Sequence, residues 1–226
     1  GDTSESGVAL PAMRELGVHG ISFQEIFGPD PAACEGAMQQ LREKVARLRE
    51  HESASARVGI SPHAPYSVSD DLFSATSNYA LEEDLPMAIH IAESADEIRY
   101  VAEARGDFAD SQRDRGFALR PRGRTPIAML ERPGVLRAKP LLIHAVRLDA
   151  EDIATIASAG CPVAHCPAAN AKLGHGIAPL LDMRRAGITV ALGSDSVASN
   201  NRMDLLEEAR LAVLLQRARV CEPVCL

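Results

Sequence analysis

The feature of this sequence that most restricts its fold is a pattern repeated from end to end. A short apolar, β-branched run leads into a polar loop, and the loop into an amphipathic stretch of helical period. The runs are Val18–Phe23, Val58–Ile60, Met87–Ile91, Leu141–Ile143, Pro162–Ala164 and Thr189–Leu192. Near-continuous apolar runs of this length read as parallel strands buried on both faces. The spacing predicts helices over Val8–Leu16, Pro31–His51, Ser69–Glu83, Ala95–Arg105, Pro126–Arg132, Ala150–Ala159, Pro179–Ala186 and Met203–Arg217. Asp30, Ser69 and Asp149 stand where helix N-caps belong. Gly17, Gly160 and Gly187 stand where helices should stop. Strands alternating with helices mean an α/β chain with a parallel sheet.

The polar residues choose between an open sheet and a closed barrel. His63, His90, Glu93, His144, His165, Asn170 and Asp195 all fall at or just past the C-terminal ends of predicted strands. In a barrel those ends converge on one mouth, where the active site sits. In an open sheet they would be strung along an edge. The expected fold is therefore a TIM-type (β/α)₈ barrel, with residues 1–226 as a single domain. The stretch Gly106–Arg124 is the least regular and holds five arginines. It reads as a surface insertion or a mobile loop near an active site.

Composition excludes several function classes. Lys and Arg number 24 against 31 Asp and Glu, a net charge of −7. That lacks the basic face of non-specific nucleic-acid binding, so no nucleic-acid partner is expected. No apolar run is long enough to span a membrane, and a cytoplasmic location is expected. Aromatics are only 4% of residues and Trp is absent, so aliphatic side chains must fill the core. The five cysteines are irregularly spaced, which argues against both a disulfide framework and a Cys-type zinc site.

Five segments carry chemistry. In Ile89-His90-Ile91-Ala92-Glu93 an apolar strand ends in a histidine, which can give a neutral nitrogen to a metal. The Glu three positions on is placed to take a proton from water that the metal activates. Alone, H-x-x-E reads more readily as a buried histidine beside a salt-bridged acid. Leu141-Leu142-Ile143-His144 ends a second buried strand in histidine, which is costly to bury unless bonded or ligated. Val190-Ala191-Leu192-Gly193-Ser194-Asp195 ends the last strand in a carboxylate. The next helix is expected only near Met203, so a metal ligand is the better reading of Asp195 than a helix cap. Ser61-Pro62-His63-Ala64-Pro65 stiffens a turn around His63, which suggests a substrate contact. The loop His165–Gly176 offers Asn170 and His175 as pocket-lining groups, with Cys166 a small buried hydrophobe.

Taken in order, SPHAPYS, HxAES, HA, HCPxxNxKLGxG and GSDS resemble the amidohydrolase superfamily, in its deaminase and chlorohydrolase branch. That branch includes S-adenosylhomocysteine, guanine and triazine hydrolases. The resemblance runs from Gly1–Ser4 to Glu208–Arg210. The wording at Ser61–Ser69, Asn170–Gly176 and Ser194–Asn200 is most similar to aminodeoxyfutalosine deaminases. It implies a metal-dependent hydrolase acting on a non-peptide C–N bond, releasing ammonia from a purine- or nucleoside-like small molecule. His90 and Asp195 would bind the metal, with His144 as a third ligand or as the group polarising the water. Glu93 would carry protons, and His63 would contact substrate. Dinuclear members carry a lysine where this chain has Ser61-Pro62-His63, so one divalent metal is implied. Zinc is the first choice and iron the second.

The sequence departs from that pattern in one respect. Such enzymes open on a strand ending in H-x-H, and no H-x-H occurs in this chain. Gly1-Asp2 resembles the end of the second barrel strand, so strand one and most of strand two are expected to be missing. Two alternatives stay open: chlorohydrolase-type chemistry on the same fold, and a truncated scaffold that binds metal poorly and does not turn over. Assembly into a homo-oligomer is also left open.

Overall fold

The protein is described here by a computed structural model covering residues 1–226. Its backbone divides into two compact units, Gly1–Ile89 with Leu130–Pro140, and His90–Met129 with Leu141–Leu226. No helix is long and apolar enough to cross a membrane.

The first unit contains strands β1 (Asp2–Ser4), β2 (Gly20–Ile26) and β3 (Ala56–Pro62), in the order β1-β2-β3. Both pairings are parallel, with Asp2 opposite Ser22, Phe23 opposite Gly59 and Ile26 opposite Pro62. Helices α1 (Ala9–Leu16), α2 (Cys34–Arg49) and α3 (Asp70–Glu82) form the crossovers. Phe23, Met38, Leu41, Val45, Val58, Ile60, Leu72 and Phe73 make its core. Gly59 is required there by close approach. A Cβ on it would lie 2.6 Å from the Phe23 ring and 2.8 Å from the Pro86 carbonyl oxygen. The chain leaves this unit within β4 (Ala88–Ile91), between Ile89 and His90.

In the second unit, strands β5 (Leu141–His144), β6 (Val163–His165) and β7 (Val190–Leu192) continue the alternation, in a sheet of order β4-β5-β6-β7. The β5–β6 and β6–β7 pairings are parallel. Its helices are α4 (Ala95–Glu103), α5 (Asp107–Asp114), α6 (Pro126–Glu131, which runs on into the first unit), α7 (Ala150–Ala159), α8 (Pro167–Lys172), α9 (Leu180–Arg185), α10 (Val197–Asn200) and α11 (Leu205–Val220). Ile91, Val101, Ile127, Leu142, Ile156, Val163 and Met183 are fully buried.

The predicted α/β class with parallel strands is the observed one, and the local signals acted where expected. Ser69 accepts from the Leu72 N–H, and Gly17 and Gly160 end α1 and α7 at φ 65° and 69°. Asp149 forms a reciprocal capping box with Asp152 and also pairs with Arg124. Asp149→Ala should therefore cost about 1–2 kcal/mol, measured by denaturant unfolding. The Arg124 hydrogen bond holds the Asp149 carboxyl below its usual range in the folded chain. Its stabilising contribution is thus present above the unfolded pKa and is lost as pH falls through the lower folded value.

Three local expectations need correction. Gly106–Arg124 is not all irregular: Asp107–Asp114 is helical, with Ala109 and Gln112 buried and the Phe108 ring set edge-on to Tyr100 at 6.5 Å. β7 is not buried on both faces. It pairs only with β6, as the edge of its sheet, and Ala191 is exposed. The helix after it starts at Val197, not near Met203, and is capped by Ser196, whose Oγ accepts from the Ser199 N–H.

Candidate active site

The second unit brings several predicted residues together at its strand ends. Ligating atoms of Glu93, His144 and Asp195 all lie within 4.8 Å of one another. His90, on β4, places its ring 5.7 Å from that of His144, centroid to centroid. Asn170 Oδ1 sits 3.0 Å from His144 Nδ1. An amide oxygen can only accept, so Nδ1 donates, and this fixes the tautomer with its free lone pair on Nε2. Burial, and then the neighbouring His90, lower the pKa of His144, so the ring is neutral. Its Nε2 faces Glu93 Oε1 at 3.5 Å, and His175 Nε2 approaches the same oxygen at 3.4 Å.

The backbone around these groups is unusual. Ala92, His144, Ala145 and Asp195 all have positive φ, from 50° to 74°, and none is glycine. Each such residue costs on the order of 1–3 kcal/mol and persists only where its surroundings over-determine it. Here they do. The Ala92 carbonyl accepts from the N–H groups of Val146 and Arg147 at 2.9 and 2.8 Å, and the Ile91 carbonyl from Ala145 at 3.1 Å. These bonds tie the loop after β4 to the loop after β5. Asp195, half-buried rather than enclosed, accepts from the Ser196 N–H at 2.6 Å.

Burial, with the nearby Asp195 charge second, raises the pKa of Glu93 to about 7. His175 is lowered by burial and by Arg147. The Cys166 thiol is raised far above its usual range by burial, then by Asp195.

The Asp195 carboxylate and the His144 Nε2 lone pair converge here, with the His90 ring and the Glu93 carboxyl beside them. A divalent cation satisfies that arrangement, and nitrogen with oxygen ligands suits zinc or iron. The residues present therefore fit a metal.

The first unit holds the other predicted contact. His63 follows β3, its Nδ1 lies 2.8 Å from Ser67 Oγ, and its ring lies 4.7 Å from Phe27 and 5.8 Å from Tyr66. Ligating atoms of Glu25, on β2, lie within 4.8 Å of those of His63. Burial, then Glu5 and Asp2, raise the Glu25 pKa. The sequence reading passed over Glu25, although an acid inside the run Phe23–Ile26 was a visible signal.

It also passed over two buried acids in the second unit. Glu97 accepts from the backbone N–H groups of Ala92 and Glu93 at 2.7 and 2.9 Å. Glu208 accepts from Ala168 N–H at 3.0 Å and from Asn200 Nδ2 at 2.5 Å. Asn200 in turn donates to the Ser194 carbonyl at 2.5 Å, so Glu208 ties the start of α8 to the loop carrying Asp195. His165 is different. Both ring nitrogens are buried without a partner, and burial lowers its pKa to about 4.

Residues 8–224 match the family described as "Amidohydrolase family". The chain belongs to the amidohydrolase family. It is 36% identical over 216 residues to an aminodeoxyfutalosine deaminase of Deinococcus radiodurans, covering 90% of this chain and 50% of that protein. It is 36% identical over 180 residues to a 5-methylthioadenosine/S-adenosylhomocysteine deaminase of Pyrococcus abyssi, covering 80% of this chain and 38% of that protein. Among solved structures, an adenosine deaminase from Xanthomonas campestris with bound zinc superposes with a TM-score of 0.77 at 26% identity. That superposition covers 97% of this chain and 47% of the other. The fold is thus the TIM-barrel type of the amidohydrolases, in parallel α/β form. The chain spans about half the length, or less, of the curated relatives it matches.

Proposed function

We propose that the intact protein is a metal-dependent aminohydrolase that removes ammonia from a heteroaromatic amine of the purine-nucleoside kind. Residues 1–226 would work as one amidohydrolase-type domain in the cytoplasm, on a small-molecule substrate. The observation that carries this reading is the convergence of Glu93, His144 and Asp195 within 4.8 Å, with Glu93 poised at a pKa of about 7. The kinship to deaminases supports it.

His90, His144 and Asp195 would hold a single divalent ion, zinc first and iron second. When bound, the ion supplies the Lewis acidity that makes water a usable nucleophile near neutral pH. Glu93 takes the proton of the attacking water on its carboxylate and returns it to the leaving amino nitrogen. Water adds to the ring carbon, the C–N bond breaks, ammonia leaves, and the added hydroxyl passes its proton to the adjacent ring nitrogen as a carbonyl replaces the amine. His144, held by Asn170 in one tautomer, keeps its Nε2 lone pair free for the ion and does not compete with Glu93 for the proton. Asn170 and His175 would line the substrate pocket, and His63 would contact substrate from its proline-stiffened turn.

The test is direct. The intact protein is purified, its zinc and iron are measured, and ammonia release is assayed on adenine and guanine nucleosides with varied 5′ groups. Saturable ammonia release that tracks metal content is expected. A metal-loaded protein that leaves every such amine intact would sink the proposal.

A further inference from the structure

We propose that Glu97 is the positioning residue for Glu93, holding the proton carrier's backbone from beneath through two consecutive amides. The inference rests on the reading of Glu93 as the proton carrier. Glu97 sits in the first turn of α4, 1% exposed, and both of its carboxylate oxygens are engaged. Oε1 accepts from Ala92 N–H and Oε2 from Glu93 N–H.

The bland explanation is helix capping, and the geometry argues against it. Ser94-Ala95-Asp96-Glu97 has the S-x-x-E spacing of a capping box, in which the Glu would reach back to the Ser N–H. Ser94 does cap the helix, accepting from Glu97 N–H at 3.1 Å. The Glu97 carboxylate bypasses the Ser94 amide and takes the two amides before it. Helix α4 therefore starts without this carboxylate, and the carboxylate serves the loop.

Its position in the loop explains why a buried acid is kept there, although burial raises its pKa to about 8. A desolvated carboxylate is costly unless hydrogen-bonded, and here the partners are donors of a strained segment. Ala92 lies at φ 52°. Glu97 fixes its N–H, while the N–H groups of Val146 and Arg147 fix its carbonyl. With Ala92 clamped on both sides, the Glu93 side chain leaves the backbone in one direction, toward His144 and His175. A misplacement of about 1 Å at a reacting group costs on the order of a hundredfold in rate.

Glu97→Gln keeps the volume but turns one acceptor into a donor facing an N–H. The variant should retain its metal content and show kcat lower by roughly 10- to 100-fold with KM within about twofold. Amide hydrogen exchange at Ala92 and Glu93 should quicken at least severalfold. Asp149→Ala is the control for general loosening and should leave those two amides as slow as in the parent. Unchanged exchange and unchanged kcat in Glu97→Gln would overturn the inference. If the parent protein releases no ammonia, the proposed function fails, and the exchange measurement alone still decides whether Glu97 holds the loop. Should Glu97→Gln not fold, Glu97→Asp takes its place, since the shorter side chain reaches at most one of the amides. Failure of both to fold would make Glu97 a folding residue and overturn the positioning role.

Discussion

Replacing Glu93 with Gln in the intact protein should lower kcat by roughly a hundredfold or more, with metal content and KM close to those of the parent. The amide keeps the size of the side chain and its anchoring by Glu97, because that contact is made through the Glu93 backbone N–H. What it loses is the capacity to accept a proton and give it back. Neither neighbouring histidine is placed to take over. His144 is neutral, its Nδ1–H is committed to Asn170, and its buried ring resists protonation. His175 lies 3.4 Å from Glu93, but its pKa too is lowered by burial and by Arg147. Steady-state ammonia release alongside metal analysis distinguishes the outcomes. Turnover near that of the parent would reject Glu93 as the carrier, and loss of metal would make it a ligand instead.

The parts of this site legible in the sequence are those whose signal is local. A histidine ending a buried strand is visible because an apolar run such as Leu141–Ile143 makes the imidazole costly there, and His144 is indeed 2% exposed. Glu93 was legible through its three-residue step from His90. The capping residues Ser69 and Asp149 were legible because a cap acts over three residues. Asp195 was reached by an argument that holds only in part. It was expected to be buried, yet β7 is a sheet edge and Asp195 is half-exposed. Asn170 was read as a loop residue but lies on α8, whose Pro167 at the first turn was the overlooked start signal.

Other features could not be read from sequence for a physical reason. Glu97 and Glu208 look like ordinary polar positions of amphipathic helices, and Glu97 also completes an S-x-x-E pattern that suggests a cap. Their work is done on the backbone of other segments: Glu208 bonds Ala168, 40 residues away, and reaches Ser194 through Asn200. No periodicity encodes such a pairing. The positive φ values at Ala92, His144, Ala145 and Asp195 are equally silent, because none of the four is a glycine, and at Ala92 and Ala145 the conformation is held by hydrogen bonds from another loop.

Asp195→Asn should abolish most metal retention and, with it, turnover. The substitution conserves shape, and the local bond to the Ser196 N–H can survive through the amide oxygen. The half-buried side chain contributes little to packing. Stability of the metal-free protein should therefore change by no more than about 0.5 kcal/mol, as for other surface positions. The ligand set, by contrast, loses its anionic member beside two imidazoles. Loss of an outer-shell partner alone typically costs about 10–100-fold in metal affinity, and loss of a direct charged ligand should cost at least as much. Thermal unfolding gives a readout independent of catalysis. An ion bound only by the folded protein stabilises it by about 2.7 kcal/mol at a hundredfold excess over Kd, so added zinc should raise Tm in the parent protein and barely move it in Asp195→Asn. The variant is also expected to lose zinc on dialysis. Asp195 as a metal ligand would be refuted by a variant that keeps stoichiometric zinc and shows the parent's full zinc-dependent rise in Tm. A variant that keeps zinc but loses turnover would move Asp195 from holding the metal to acting on substrate or water beside Glu93, the carboxylate whose pKa its charge already raises.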